Sequence, residues 1–208
     1  MAHLDHILWG APNLEAAVAT FADLSGVEPA VGGSHTGFGT RNRLLTLGEN
    51  LFLEVIAPDP AQSVTTERVE ALAGMPHPGL ISFCVAGAEI GAFAEKAKAA
   101  GIGTREPRSM GRTRPDGVKL AWQTIHLVDE EMGTALPFLI DWQESPHPST
   151  STPGGCSLIE FSVLHPNAPR LRAIFDGLEI PVPVKAAARP GFLARLETPK
   201  GEVVLTAP

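Results

Sequence analysis

Three times along these 208 residues an apolar strand pattern leads into an amphipathic helix pattern and then into further strands. That recurring order limits the fold more than any single residue does. In the first pass a strand at 3–10 precedes a helix at 13–24, where Asn13 can cap and Leu14, Ala17, Val18 and Phe21 form one stripe. Gly26 ends that helix, and strands at 40–47 and 50–57 follow across the turn-rich Gly48-Glu49-Asn50. The second pass reads as a strand at 79–86, a helix at 88–100 stopped by Gly101, and strands at 118–127 and 136–142. The third begins after Cys156 with a strand at 157–164, a helix at 168–177 and strands near 182–185, 191–197 and 202–206. Pro12-Asn13 lies six positions after His6, and Pro166-Asn167 lies six after Glu160. The pattern predicts an α+β protein of β-α-β-β-β units. The first unit is 1–60 and the second 78–143; a linker at 59–78 with a short helix near 65–73 joins them into one domain. A third, degenerate unit occupies 155–208.

Composition narrows the function classes. The chain is 44% hydrophobic and 19% charged, as ordinary globular proteins are. A formal net charge of −7 argues against nucleic-acid binding, which needs a basic surface. Gly, Pro or a charge interrupts every apolar run, so no membrane span is expected, and without a basic region leading into an apolar core no secretory signal is expected either. Cys84 and Cys156 are too few for a disulfide framework; a reducing, cytoplasmic setting is expected, with Cys84 a buried thiol.

Two polar residues interrupt otherwise apolar strands. His6 lies in Leu4-Asp5-His6-Ile7-Leu8-Trp9 and Glu54 in Leu51-Phe52-Leu53-Glu54-Val55-Ile56. Alternation puts Leu4, His6 and Leu8 on one face, and Phe52, Glu54 and Ile56 on one face. A carboxylate between Phe52 and Ile56 requires compensation, by an arginine, a hydrogen-bond network, or a metal ion that His6 also binds. An imidazole and a carboxylate suit Zn, Fe, Ni, Mn or Co without choosing among them.

The segments Leu4-Asp5-His6-Ile7, Ala11-Pro12-Asn13-Leu14-Glu15, Gly32-Gly33-Ser34-His35-Thr36-Gly37-Phe38-Gly39-Thr40-Arg41-Asn42 and Leu53-Glu54-Val55-Ile56-Ala57-Pro58 carry a resemblance to a known family. Leu136-Pro137-Phe138-Leu139-Ile140-Asp141-Trp142 and the closing stretch 198–205 extend it. Together they resemble the vicinal oxygen chelate superfamily, in its glyoxalase-like branch, which also holds extradiol dioxygenases and bleomycin-resistance proteins. The resemblance implies a half-barrel around a cleft, with a divalent metal held by ligands on the first and last strands of a unit. His6 and Glu54 match those positions. The second unit offers only Ile81 or Ser82 and Ile140 or Asp141 there, and the third Glu160 and the region of Val204, so a full four-ligand set is not visible.

Other residues are candidates around that pair. A third metal ligand would come from His35, His77, His126 or Asp141. His35 lies in a stretch rich in glycine, read as a loop that either lines the cleft or is solvated; with Asp141 it is a candidate for proton transfer. Arg41 and Asn42 open a strand and are candidates for substrate binding, unless Arg41 pairs with Glu54. Trp122 shares a strand face with Thr124 and His126, and Trp142 follows Asp141; both tryptophans are candidate cleft walls. Arg105, Arg108, Arg112 and Arg114 lie in a stretch read as a loop, either a flap for anions or a solvated connection. His147 and His165, each before proline, read as turn residues, and Glu160 as solvent-facing.

The expected function is that of a divalent-metal-dependent isomerase, lyase or dioxygenase acting on a small oxygen-rich molecule. The alternative is a metal-free binding or sequestration protein of the drug-resistance type. The expected partner is a small molecule, and neither nucleic acid nor a membrane; a homodimer is one way to complete the third unit.

Overall fold

The computed structural model describes residues 2–113 and 117–208, with nothing described of the Thr113 side chain. Strand β1 (His3–Gly10) runs through the middle of a nine-stranded sheet. It pairs in parallel with β4 (Leu51–Pro58) and antiparallel with β5 (Gly79–Ala86). Outside β4 lie β3 (Thr40–Gly48) and then β2 (Ala30–His35). Outside β5 lie β9 (Phe138–Asp141) and β8 (Lys119–Val128), and against β8 lie β6 (Gly103–Thr104) and β7 (Arg108–Thr113). Each of the first two units therefore pairs outward by one rule. The first strand is parallel to the last, and the last is antiparallel to the strand before it. The sheet stays open, as the half-barrel expectation requires.

The third unit keeps the sequence order but changes the pairing. Its strands β10 (Ser157–His165), β11 (Val184–Ala186), β12 (Gly191–Thr198) and β13 (Gly201–Thr206) form a second sheet in the order β11-β10-β12-β13. Here the first strand meets β11 and β12 and not its last strand.

Four helices are described. In α1 (Leu14–Ser25) the Asn13 side chain accepts from the Ala16 N–H, and Gly26, left-handed at φ 82°, closes the last turn onto the Ala22 carbonyl. Leu14, Ala17, Val18 and Phe21 are buried, as their spacing predicts. Then come the short α2 (Glu67–Ala73), α3 (Ile90–Ala99) and α4 (Ala168–Gly177). No helix of the described residues is long and apolar enough to cross a membrane.

One face of the large sheet builds the main core. Ile7, Trp9, Leu53, Val55, Phe83 and Val85 pack there with α1, α3 and the second sheet. Phe83, fully buried, touches Phe161, Phe175 and Phe192 at ring separations of 5.3, 6.1 and 6.0 Å. Each such side chain stabilises the fold by about 1.5–3 kcal/mol through burial alone. The two sheets thus share one hydrophobic interior.

Three expectations need correction. Gly32-Gly33-Ser34-His35 is not loop but the second half of β2, paired with β3; only the turn at 36–39 is irregular. Arg108–Thr113 is also a strand, the outermost partner of β8, and among the described residues no second strand pairs with it, a position where charged side chains are tolerated; Arg114 lies outside the described residues. The alternation assumed for β1 breaks at Asp5. Leu4 pairs with Val85 and His6 with Cys84, so Asp5 is an extra residue in a bulge. Leu4 therefore packs against the main core, while His6 and Leu8 face the other way.

Candidate functional site

The second face of the large sheet carries a smaller apolar cluster with polar groups set into it. Leu8, Ile56, Cys84, Trp122, Phe138 and Ile140 form that cluster, with Leu72 of α2 laid across it. In the parallel β1–β4 register His6 opposes Phe52 and Leu8 opposes Glu54, which brings His6 and Glu54 onto this face together. The His6 ring stacks on Phe52 at 4.5 Å and meets the edge of Phe138 at 5.5 Å.

The bulge fixes His6 from behind. Asp5 is fully buried, and its Oδ1 lies 2.5 Å from His6 Nδ1. Its Oδ2 accepts from the Trp142 indole N–H at 2.9 Å and lies 3.2 Å from His147 Nε2. Burial alone would raise the Asp5 carboxyl, but the hydrogen bonds from His147 and His6 outweigh it and hold the group well below the usual carboxylate range. Asp5 is therefore an anion, and His6 turns its Nδ1–H toward it. His6 Nε2 then faces Glu54 Oε2 at 3.7 Å.

Glu54 is held on its other oxygen. Asn42 on β3 donates from Nδ2 to Glu54 Oε1 at 2.6 Å and lies 3.2 Å from His35 Nε2. His35 Nε2 lies 3.7 Å from the same Glu54 oxygen, and its Nδ1 lies 2.9 Å from Thr40 Oγ1. One amide thus supplies a hydrogen to each of two acceptors. This fixes which end of Asn42 is nitrogen, because the reverse would set two oxygens against each other. Burial pushes the His35 imidazole down from its ordinary value, with Arg112 and Arg68 adding to the shift and Glu54 opposing it. His35 is neutral at pH 7.

On the β8–β9 side, Trp122 meets Trp142 at 5.5 Å and His35 at 6.5 Å. Thr124 is buried on the same strand face, and His126 stacks on Phe138 at 4.9 Å. His126 is pushed down to about 4, by burial first and then by Arg68, Arg105 and Arg108. The shared face of Trp122, Thr124 and His126 thus extends the site across the sheet.

The other candidates fall elsewhere. Arg41 points away from Glu54, its Nη2 bonding Glu15 at 2.9 Å. Asp141 accepts from the Gln143 N–H at 2.8 Å; its strand neighbour Ile140 belongs to the site cluster, so Asp141 faces the opposite side. His77 is exposed beside its own Pro78 carbonyl. His165 accepts from the Asn167 N–H, and Glu160 pairs with Lys185 and Arg195. His147 does cap a turn, but it also reaches Asp5. Sequence reasoning passed over Asp5, Cys84, His147 and Arg68. Only a bulge, a cross-strand register or a helix docked from outside brings them in, and no periodicity signals any of these.

A divalent ion can be tested against this donor set. The 3.7 Å between His6 Nε2 and Glu54 Oε2 suits two ligands of one ion, since each bond would be roughly 2.0–2.2 Å long. An acid holding the far ring nitrogen is the usual support for a metal-binding histidine. Among the described residues one three-residue group converges, Asp5, His6 and Cys84. Both Asp5 oxygens already accept hydrogen bonds there, and burial keeps the Cys84 thiol protonated. The residues fit a two-point site completed by ligand or water.

The model of a family described as the glyoxalase-like domain matches residues 4–178. The chain belongs to that family. It is of the vicinal oxygen chelate type that the first-unit motifs resemble. Among solved structures, a hypothetical protein from Staphylococcus aureus is similar over 99% of this chain and 85% of its own, at 16% identity and a TM-score of 0.66. A methylmalonyl-CoA epimerase from Mycobacterium tuberculosis is 18% identical over 71% of this chain and 91% of its own, with a TM-score of 0.49. A hypothetical protein from Bacillus halodurans is 12% identical over 70% and 97%, at 0.48. Likeness at such identities speaks for the fold alone. No curated protein matches the chain.

Proposed function

We propose that this glyoxalase-like protein binds a small oxygen-bearing organic molecule on the His6–Glu54 face, with a divalent metal ion held between His6 Nε2 and Glu54 Oε2. One observation carries the reading. With Nδ1–H turned toward Asp5, His6 Nε2 faces Glu54 Oε2 at 3.7 Å, a separation that one cation bonded to both would span. When bound, the ion would polarise substrate oxygens as a Lewis acid and favour an enolate or oxyanion. The protein's own residues then have distinct tasks. Asp5 orients His6, Asn42 orients Glu54, and Trp122 with Ile56 and Leu8 excludes water. His35, kept neutral, is the residue able to take up a proton at Nε2 once Asn42 shifts. Isomerase, lyase and dioxygenase chemistry all remain compatible with such a site.

A metal-free binding protein is the second reading, and a specific observation favours it. No third His, Cys, Asp or Glu among the described residues converges on His6 and Glu54, and a protonated His6 would satisfy the same gap. Elemental mass spectrometry on protein purified without a histidine tag separates the two. Near-stoichiometric metal that is lost in both His6→Ala and Glu54→Ala supports the first; no metal after reconstitution with Zn, Fe, Ni, Mn and Co in turn overturns it.

A further inference from the structure

The chain is acidic overall, yet the surroundings of its site are basic. Arg68, Arg105 and Arg108 act on His126, and Arg68 and Arg112 act on His35. Arg68 stands out by its place in the fold. It lies on α2 one turn before Leu72, so the two share a helix face, and Leu72 is buried in the site cluster against Leu8 and Ile56. The helix is clamped in that position: a Cβ on Gly10 would meet Leu72 Cδ2 at 2.8 Å, and one on Gly39 would meet the Val64 carbonyl at 2.6 Å and Val69 at 2.8 Å. Arg68 is only partly exposed and, among the described residues, makes no hydrogen bond or ion pair; Glu54 is the one charge that acts on it. Burial disfavours its charged form, with Glu54 opposing that. A guanidinium held half out of water without a partner is costly unless an anion completes it.

We propose that Arg68 binds the oxyanion end of the ligand, so that this site takes organic anions carrying a carboxylate or a phosphate. Arg108, which acts on His126 as Arg68 does, would add to the field that draws the anion in. Guanidinium suits the task because its fork matches either oxyanion with two parallel hydrogen bonds. This inference rests on the small-molecule reading above but not on its metal.

The experiment is a tryptophan-fluorescence titration in buffer containing EDTA, using benzoate, phenyl phosphate and the neutral benzamide against wild type, Arg68→Gln and Arg68→Lys. EDTA makes the outcome independent of the metal, whose own test is elemental. Saturable binding of benzoate or phenyl phosphate is expected, weakened at least tenfold in Arg68→Gln and partly restored in Arg68→Lys, with benzamide not saturating. The tighter of the two anions identifies which oxyanion the site prefers. Equal binding of benzamide, equal binding by Arg68→Gln, or no binding of either anion to wild type would each overturn the proposal. Should Arg68→Gln fail to fold, Arg68→Lys together with the salt dependence of wild-type binding decides: binding unchanged in the first and insensitive to salt also overturns it.

Discussion

Gly32 and Asn42 are packed so closely that a Cβ on residue 32 would lie 2.0 Å from Asn42 Oδ1. That oxygen is buried and has no hydrogen-bond partner among the described residues, while the nitrogen of the same amide holds Glu54 and faces His35. The glycine is needed here for space, since its backbone is not left-handed; it lets the edge strand close over the amide and aim it.

Gly32→Ala should therefore displace Asn42 and release Glu54, at a cost of roughly 1–3 kcal/mol for overpacking and a broken charged hydrogen bond. Gly37→Ala is the control, because Gly37 is left-handed at φ +81° with nothing within 4 Å. It should lose only about 1 kcal/mol from backbone strain. Urea denaturation of both variants checks this; a Gly32→Ala no weaker than Gly37→Ala would mean the contact relaxes without consequence.

Asp5→Asn should loosen the site and the 142–147 segment together. The carboxylate is fully buried and takes hydrogen bonds from His6, Trp142 and His147, so losing its charge should cost about 3 kcal/mol. The informative readout is hydrogen exchange of the Trp142 indole N–H, which should speed up while that of Trp9, in the main core, follows global stability alone. Unchanged protection of Trp142 would show that the link to Asp5 is dispensable.

Acid should destabilise the protein in two separable windows. His126 is depressed from 6.5 to about 4, so the folded state holds it neutral while the unfolded chain takes up the proton first. Its contribution is complete above pH 6.5 and is lost as pH falls toward 4, by roughly 3 kcal/mol at about 1.4 kcal/mol per unit. His35, also depressed, adds to the same window. The Asp5 contribution is present above its unfolded value of 3.8 and is lost only below it. Denaturation at stepped pH should show His126→Gln flattening the upper window and leaving the lower one intact; a His126 resonance titrating near 6.5 would refute the assignment.

Arg41→Ala should leave ligand binding unchanged. Its guanidinium bonds the half-exposed Glu15 on the helix side of the sheet, a surface pair worth about 0–1 kcal/mol. Comparing benzoate affinity in Arg41→Ala and wild type tests this, and a tenfold loss would place Arg41 in the site after all.

Much of the architecture could be read from residue order. The stripe of α1, its Asn13 cap and Gly26 stop, and the strands around His6 and Glu54 follow from local periodicity, which the fold preserves because each of these segments has one face on the core. The edge strands β2 and β7 escaped notice for the converse reason. Neither buries a continuous apolar face, and their glycines and arginines mimic loop composition until pairing with β3 and β8 fixes them.

The sequence by itself determined the order of most strands and helices and marked an imidazole in one apolar strand and a carboxylate in another, because alternation and capping are properties of neighbours along the chain. Tertiary structure decided the rest. A bulge turned Asp5 behind His6, cross-strand register put Asn42 and His35 on Glu54, and the docking of α2 brought Leu72 into the cluster with Arg68 one turn before it. The third unit repeats the order of the others yet pairs differently, since strand pairing is chosen by which apolar faces can be buried together and not by succession in the chain.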